Sequence, residues 1–302
     1  MRHRPIHLLL LLALALVAST AGCGDGASDR AAEPAAGPRK VVATTTVVGD
    51  FVKVVGGDLI SLTTLLRPNI DPHDYEPSPA DAVALARADV IVSSGAGIDA
   101  WLDPLIVSAE PTAGVTVASK GVTLRPGDPH IWHDPRNAKI MVANIASALG
   151  RADPAHAANY VANSRAYSTQ LDALDAEIAT QIGTVRNPRL VTNHDALGYY
   201  VDRYGLIYVG SIIPSFDSSA ELSAAEVATL VEAIQFEGVP AIFTEAALPP
   251  RTAEAIGREA GVKVVSGAGG LYGDGLGPTG SGADTYLTMM RHNTATIVRN
   301  LS

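Results

Sequence analysis

Residues 153–185, DPAHAANYVANSRAYSTQLDALDAEIATQIGTV, carry no Gly before Gly183 and no Pro after Pro154. Within them Tyr160, Tyr167, Leu171, Leu174, Ile178 and Ile182 follow one another at helical spacing, which draws an apolar stripe along one face. Asp153 stands where an N-cap is expected and Pro154 at the first helical position, where a missing N–H costs nothing. At 1.5 Å per residue, about 30 residues reach roughly 45 Å, the length of two small domains side by side.

On each side of this helix lie four short β-branched runs. Before it are VVATTTVV (41–48), ISLTTLL (60–66), DVIVSSG (89–95) and GVTVAS (114–119). After it come RLVTN (189–193), LIYVGSII (206–213), PAIFTE (240–245) and VKVVSG (262–267). Stretches with helical signals, such as SPADAVALARA (78–88) and SAAEVATLVEAIQFEG (223–238), separate most of them. Strands alternating with helices predict an α/β fold of two lobes, each a mostly parallel four-stranded sheet flanked by helices, joined by one long rigid helix. The lobes are expected at 40–153 and 186–302, with the linking helix at 154–185. A chain of 302 residues, 47% apolar, can supply a core to each.

The first 22 residues read as an export signal: Arg2 and Arg4, then an apolar run from Leu8 to Ala18 that is too short to span a bilayer comfortably. The run ends in Thr20-Ala21-Gly22-Cys23, similar to a bacterial lipobox, in which the cysteine becomes the lipidated first residue of the mature chain. Thr20 departs from the aliphatic residue commonest there, which leaves ordinary signal cleavage open. Cys23 is the sole cysteine, so an intramolecular disulfide is excluded. Residues 23–39 have the small, polar, proline-bearing composition of a tether. The expected location is therefore extracytoplasmic, lipid-anchored at the outer face of the cytoplasmic membrane. Removing the signal leaves 20 basic against 31 acidic residues, moving the formal charge from −9 to −11. Such a balance disfavours nucleic acid as a partner and suits a cation.

Eight histidines occur, two of them in the signal. RPNIDPHDYEP (67–77) and GDPHIWHDP (127–135) repeat Asp-Pro-His, as Asp71-Pro72-His73 and Asp128-Pro129-His130. Proline fixes its own φ and pushes the preceding Asp into extended geometry, so each imidazole is presented from a stiff loop; two unrelated Asp-Pro turns are the plain alternative. His194 sits where the apolar strand of RLVTNHDALGYY gives way to a helical pattern, a place for a ligand or for a helix-flanking residue. Asp274, in GLYGDGLGP, lies in a stretch with five glycines between 267 and 275, which suits an ion-binding loop or an ordinary turn. Taken together, His73 and His130 from the first lobe and His194 and Asp274 from the second are expected to converge on the cleft. Three neutral imidazoles and a carboxylate suit a divalent transition ion, zinc most readily. His133, beside the site, is expected to stay outside the ligand set, with Asp134-Pro135 opening the next helix; His130→Ala should then cost far more zinc affinity than His133→Ala.

The segments IDPHDYEP, DPHIWHDP and HDALGYY, the long Tyr-bearing helix, and ADTYLTMMRHN before a terminal helix resemble the metal-binding lipoproteins of bacterial ABC importers for zinc and manganese, the cluster A-I solute-binding proteins. The resemblance covers essentially the whole mature chain. It implies two α/β lobes joined by a rigid helix with the metal between them, ligands at His73, His130, His194 and Asp274, and delivery to a membrane permease by a monomer. A histidine at the third ligand position favours zinc; yet residues 74–129 hold no histidine, whereas many zinc carriers of that family have a His-rich loop there. Zn2+ is the expected cargo, with Mn2+ or iron as the alternative. A zinc hydrolase is the competing reading, with Glu245 as its base by position, but no HExxH segment is present and four protein ligands would close a tetrahedral shell. An organic cargo would need aromatic walls, for which Trp101 and Trp132 are the tryptophans available. An adhesive role has no sequence signal.

Overall fold

A computed structural model describes residues 37–218, 223–246 and 248–302; the signal, Cys23 and the tether up to Ala36 lie outside the described residues. Among the described residues eight strands form, in chain order β1 (Arg39–Ala43), β2 (Ile60–Thr64), β3 (Val90–Ser93), β4 (Val115–Val117), β5 (Arg189–His194), β6 (Ile207–Ile213), β7 (Ala241–Phe243) and β8 (Lys263–Val265). The helices between and after them are α1 (Thr46–Gly56), α2 (Pro79–Ala86), α3 (Leu102–Ala109), α4 (Pro135–Ala152), α5 (Ala157–Ile182), α6 (Gly198–Tyr204), α7 (Ala224–Glu237), α8 (Arg251–Ala260) and α9 (Tyr286–Leu301). Two sheets result, ordered β2-β1-β3-β4 and β6-β5-β7-β8, with every pairing parallel. The expected α/β architecture of two four-stranded sheets with helices around them is thus present, and the second half repeats the strand order of the first.

Strand alternation distributes the core. Val41, Ala43, Val90 and Val92 face one way, into a large cluster that also takes the buried faces of α1, α4, α5 and α9. Val42 and Ile91, one residue out of phase, pack with Leu85, Leu102 and Leu105 of α2 and α3. The second sheet does the same: Leu190, Ala241 and Phe243 join the large cluster, while Val191 and Ile242 pack under α7 and α8. Period-two side chains on a sheet covered on both faces require this partition.

The long helix forms as its stripe predicts, with all six stripe residues buried. At roughly 2 kcal/mol for each large side chain removed from water, they fasten α5 firmly into the shared core. Its start differs from expectation. Pro154–His156 wind as a separate 3-10 turn, and the Asp153 carboxylate accepts from Tyr160 Oη at 2.9 Å and meets His156 Nδ1 at 2.7 Å instead of capping backbone N–H groups. Residues 41–48 also divide: the strand stops at Ala43, and Thr45 caps α1 by accepting from the Val48 N–H, so Val47 and Val48 are helical. The ADTYLTMMRHN segment runs into α9 instead of preceding it.

Candidate metal centre

In open parallel sheets, ligands collect beyond the carboxyl ends of the strands, where the strand order reverses. In the second sheet that place is β5/β7, and His194 is the last residue of β5. Glu245 lies two residues past β7, bridged to Leu271 beside the loop that carries Asp274. From the first half, His73 comes from the loop after β2 and His130 from the loop before α4.

These four side chains meet: one ligand atom from each of His73, His130, His194 and Asp274 lies within 4.8 Å of all the others. Asp274 Oδ1 is 3.0 Å from His130 Nε2, 3.1 Å from His194 Nε2 and 3.7 Å from His73 Nε2. A tetrahedron of ligands about 2.0–2.1 Å from a zinc ion has edges of roughly 3.3 Å, so these separations bracket what such a shell needs. His130 and His194 are fully buried, His73 nearly so. The Nε2 atoms of His73 and His130 are buried without a hydrogen bond of acceptable geometry among the described residues. Buried lone pairs aimed at one point are costly unless something there receives them.

The imidazoles are held from behind. Asp128 Oδ1 accepts from the His130 N–H at 3.0 Å and lies 3.0 Å from His130 Nδ1, which orients the ring with Nε2 toward the centre. Glu245 Oε1 is 3.7 Å from His194 Nδ1, while its Oε2 accepts from the Gly273 N–H at 2.7 Å. Asp128 is itself approached by Arg125 Nε at 3.2 Å; Arg125 also donates to Gly198 O at 3.0 Å and pairs with Asp202, so this loop is strapped onto α6 in the other half. Gly198 permits the approach, since a Cβ there would fall 2.5 Å from Asp128 Oδ2.

Burial alone would depress each imidazole's pKa, but the polar contacts and charge of Asp274, joined at His130 by Asp128, more than offset it, leaving His73, His130 and His194 above their ordinary value. Reciprocally, burial raises Asp274, yet the charge of His194 and the contacts of the three imidazoles hold its carboxyl well below the usual range. Glu245, pressed by burial and by the charge of Asp274, is pushed up to about 7.

His133 stays out of this cluster. Fully buried, it turns its Nε2 to the Gly273 carbonyl at 2.8 Å, and burial takes it down to about 4. Asp134 and Pro135 do open α4, with Asp134 accepting from the Arg136 N–H. Trp132 donates to that same Gly273 oxygen at 3.1 Å, and Trp101 packs edge-on against Tyr75. Asp128 was legible only as a stiffener of its loop. Its role behind His130, and those of Arg125 and Gly273, depend on contacts between distant segments that leave no local pattern.

A two-sheet α/β body with histidines and a carboxylate gathered from both halves describes a metal-binding substrate-binding protein of an ABC importer. The comparisons agree: residues 41–300 match the zinc-uptake complex component A periplasmic family, to which the chain belongs. The manganese-binding lipoprotein MntA of Halalkalibacterium halodurans is 32% identical, with 97% of each chain covered. The iron-binding protein YfeA of Yersinia pestis is 29% identical over 86% of this chain and 85% of that protein. Among solved structures, the periplasmic zinc binding protein TroA from Treponema pallidum superposes with a TM-score of 0.81 at 27% identity, over 88% of this chain and all of that one. Members of this family are solute-binding proteins, not enzymes.

Proposed function

We propose that this protein captures a divalent transition metal, zinc by preference, with His73, His130, His194 and Asp274 as ligands, and passes it to the permease of an ABC importer. The observation that carries this reading is the convergence of the four ligand atoms within 4.8 Å. Three neutral nitrogen donors and one carboxylate match zinc by softness and number, and a single carboxylate leaves the bound ion a formal +1. The lobes proposed at 40–153 and 186–302 each supply two ligands, the helix at 154–185 sets their spacing, and the protein works as a monomer tethered through Cys23 at the outer face of the cytoplasmic membrane.

Manganese or iron is the second reading, and one feature favours it beyond the names of MntA and YfeA. A cavity of about 30 Å³, lined by Asn69, Asp71, Glu245, Tyr272 and Asp274, adjoins the cluster. That volume holds about one water, which could serve as a further oxygen ligand of the kind these harder ions favour. Native mass spectrometry of chelator-stripped protein offered equimolar zinc and manganese decides between them. Zinc occupancy is expected; manganese exceeding zinc at matched free-ion levels overturns the preference, and no uptake of either overturns the carrier. A hydrolysis assay of zinc-loaded protein is expected to show no turnover; turnover abolished by His194→Ala would sink a carrier-only role.

A further inference from the structure

The second histidine of GDPHIWHDP is absorbed by no ligand set, yet it is fully buried and its Nδ1 has no hydrogen-bond partner among the described residues. Keeping an imidazole there costs desolvation of two nitrogens, so the contact of the other one must matter. That contact is His133 Nε2 to Gly273 O at 2.8 Å, from the 3-10 turn Ile131–His133 of the first half to the glycine immediately before Asp274 in the second. A bare nitrogen lone pair cannot face a carbonyl oxygen at that distance, so Nε2 carries the proton and Nδ1 is bare.

The same carbonyl takes a second donor from the same turn, Trp132 Nε1 at 3.1 Å, and an indole N–H can only donate. Both lone pairs of Gly273 O are therefore filled across the boundary between the halves, while the Gly273 N–H is held within its own half by Glu245. The packing is close: a Cβ on Gly273 would fall 2.3 Å from Glu245 Oε1 and 3.0 Å from Ala196 Cβ, so one of them would have to shift. The peptide plane leading into Asp274 is held by two hydrogen bonds, both from the other half, and the plane before it by the Glu245 carboxylate.

We propose that His133 is a positioning residue for the metal site: as an Nε2–H donor it clamps, with Trp132, the Gly273 carbonyl across the two halves, and so sets Asp274 against the three imidazoles. This rests on Asp274 being a ligand, as proposed above.

The test compares His133→Leu, which fills the space without a donor, with His133→Gln, whose amide nitrogen reaches about as far as Nε2. Zinc dissociation into a chromophoric chelator is timed from each full chain. Leu is expected to speed release by about 10–100-fold, the range for partners that orient ligands, and Gln to restore it to within a few-fold of wild type. Equal release from Leu and wild type overturns the inference, and so does a Gln variant as fast as Leu, since packing and not donation would then be at issue. Long-range 1H–15N correlation spectra of the zinc-loaded wild type give a reading that needs no variant to fold. His133 protonated on Nε2 and bare on Nδ1 is expected, and the opposite tautomer overturns the clamp. A wild type that takes up neither zinc nor manganese defeats the metal reading itself, whereas a wild type that binds and a Leu variant that releases at the same rate defeats the clamp alone.

Discussion

Asp71-Pro72-His73 and Asp128-Pro129-His130 are the same tripeptide, and the backbone treats them alike. In both, the aspartate Oδ1 accepts the histidine N–H, at 2.9 Å in the first and 3.0 Å in the second. What surrounds them differs. Asp128 is buried, and its Oδ1 also faces the His130 ring nitrogen, with Arg125 behind. Asp71 is half-buried, and its other oxygen is taken by Ser218, so it shapes the His73 loop without holding the ring. A tripeptide can dictate a turn by itself; whether the imidazole at its end is also locked is decided by the tertiary environment.

That contrast can be broken by substitution, and the largest effect is expected at the ligands. His130→Ala should weaken zinc binding, read by chelator competition, by well beyond the 10–100-fold of an outer partner, and by far more than His133→Ala. Equal losses at the two positions would return GDPHIWHDP to a local two-histidine clamp. Next comes Asp128→Asn, which keeps the turn but removes the carboxylate behind the His130 ring, with a loss of about 10–100-fold. Gly198→Ala attacks the same group from the other half: a Cβ 2.5 Å from Asp128 Oδ2 must displace either Asp128 or α6. Overpacking of this kind costs about 1–3 kcal/mol, visible as a lowered thermal midpoint of the metal-free protein together with weaker zinc binding. Asp71→Asn should be mildest, within a few-fold of wild type in chelator competition, because its ring-holding role is absent. A loss matching that of Asp128→Asn would erase the distinction between the twin loops.

All eight strands were legible because β-branched runs punctuated by turn residues report a property of the local chain, and the buried stripe of α5 was legible for the same reason. The boundaries slipped where a local reading had competitors. Val47 and Val48 look like strand, but Thr45 starts a helix under them. Asp153 looks like a cap, but Tyr160 and His156 claim its oxygens. The four side chains of the site were legible because three lie in stiff or strand-end positions and one in a glycine-dense loop. The groups that orient them were not. The pairing of Glu245 with His194, the strap of Arg125 over Gly198 and the triple fixation of Gly273 each join segments remote in sequence, and only the folded chain brings them into register.

The cluster takes its members from residue 73 to residue 274, and no contiguous piece of the chain contains a majority of them from both sheets without also spanning α5. The centre therefore exists only where both sheets are in place. Metal held by all four side chains therefore reports that both halves are folded, since each half alone carries two of them. By mass action, an ion present at a hundred times its Kd adds about 2.7 kcal/mol to the stability of the finished chain. In metal-poor surroundings the same protein carries that much less protection against unfolding and proteolysis, which ties its lifetime to the supply of what it carries.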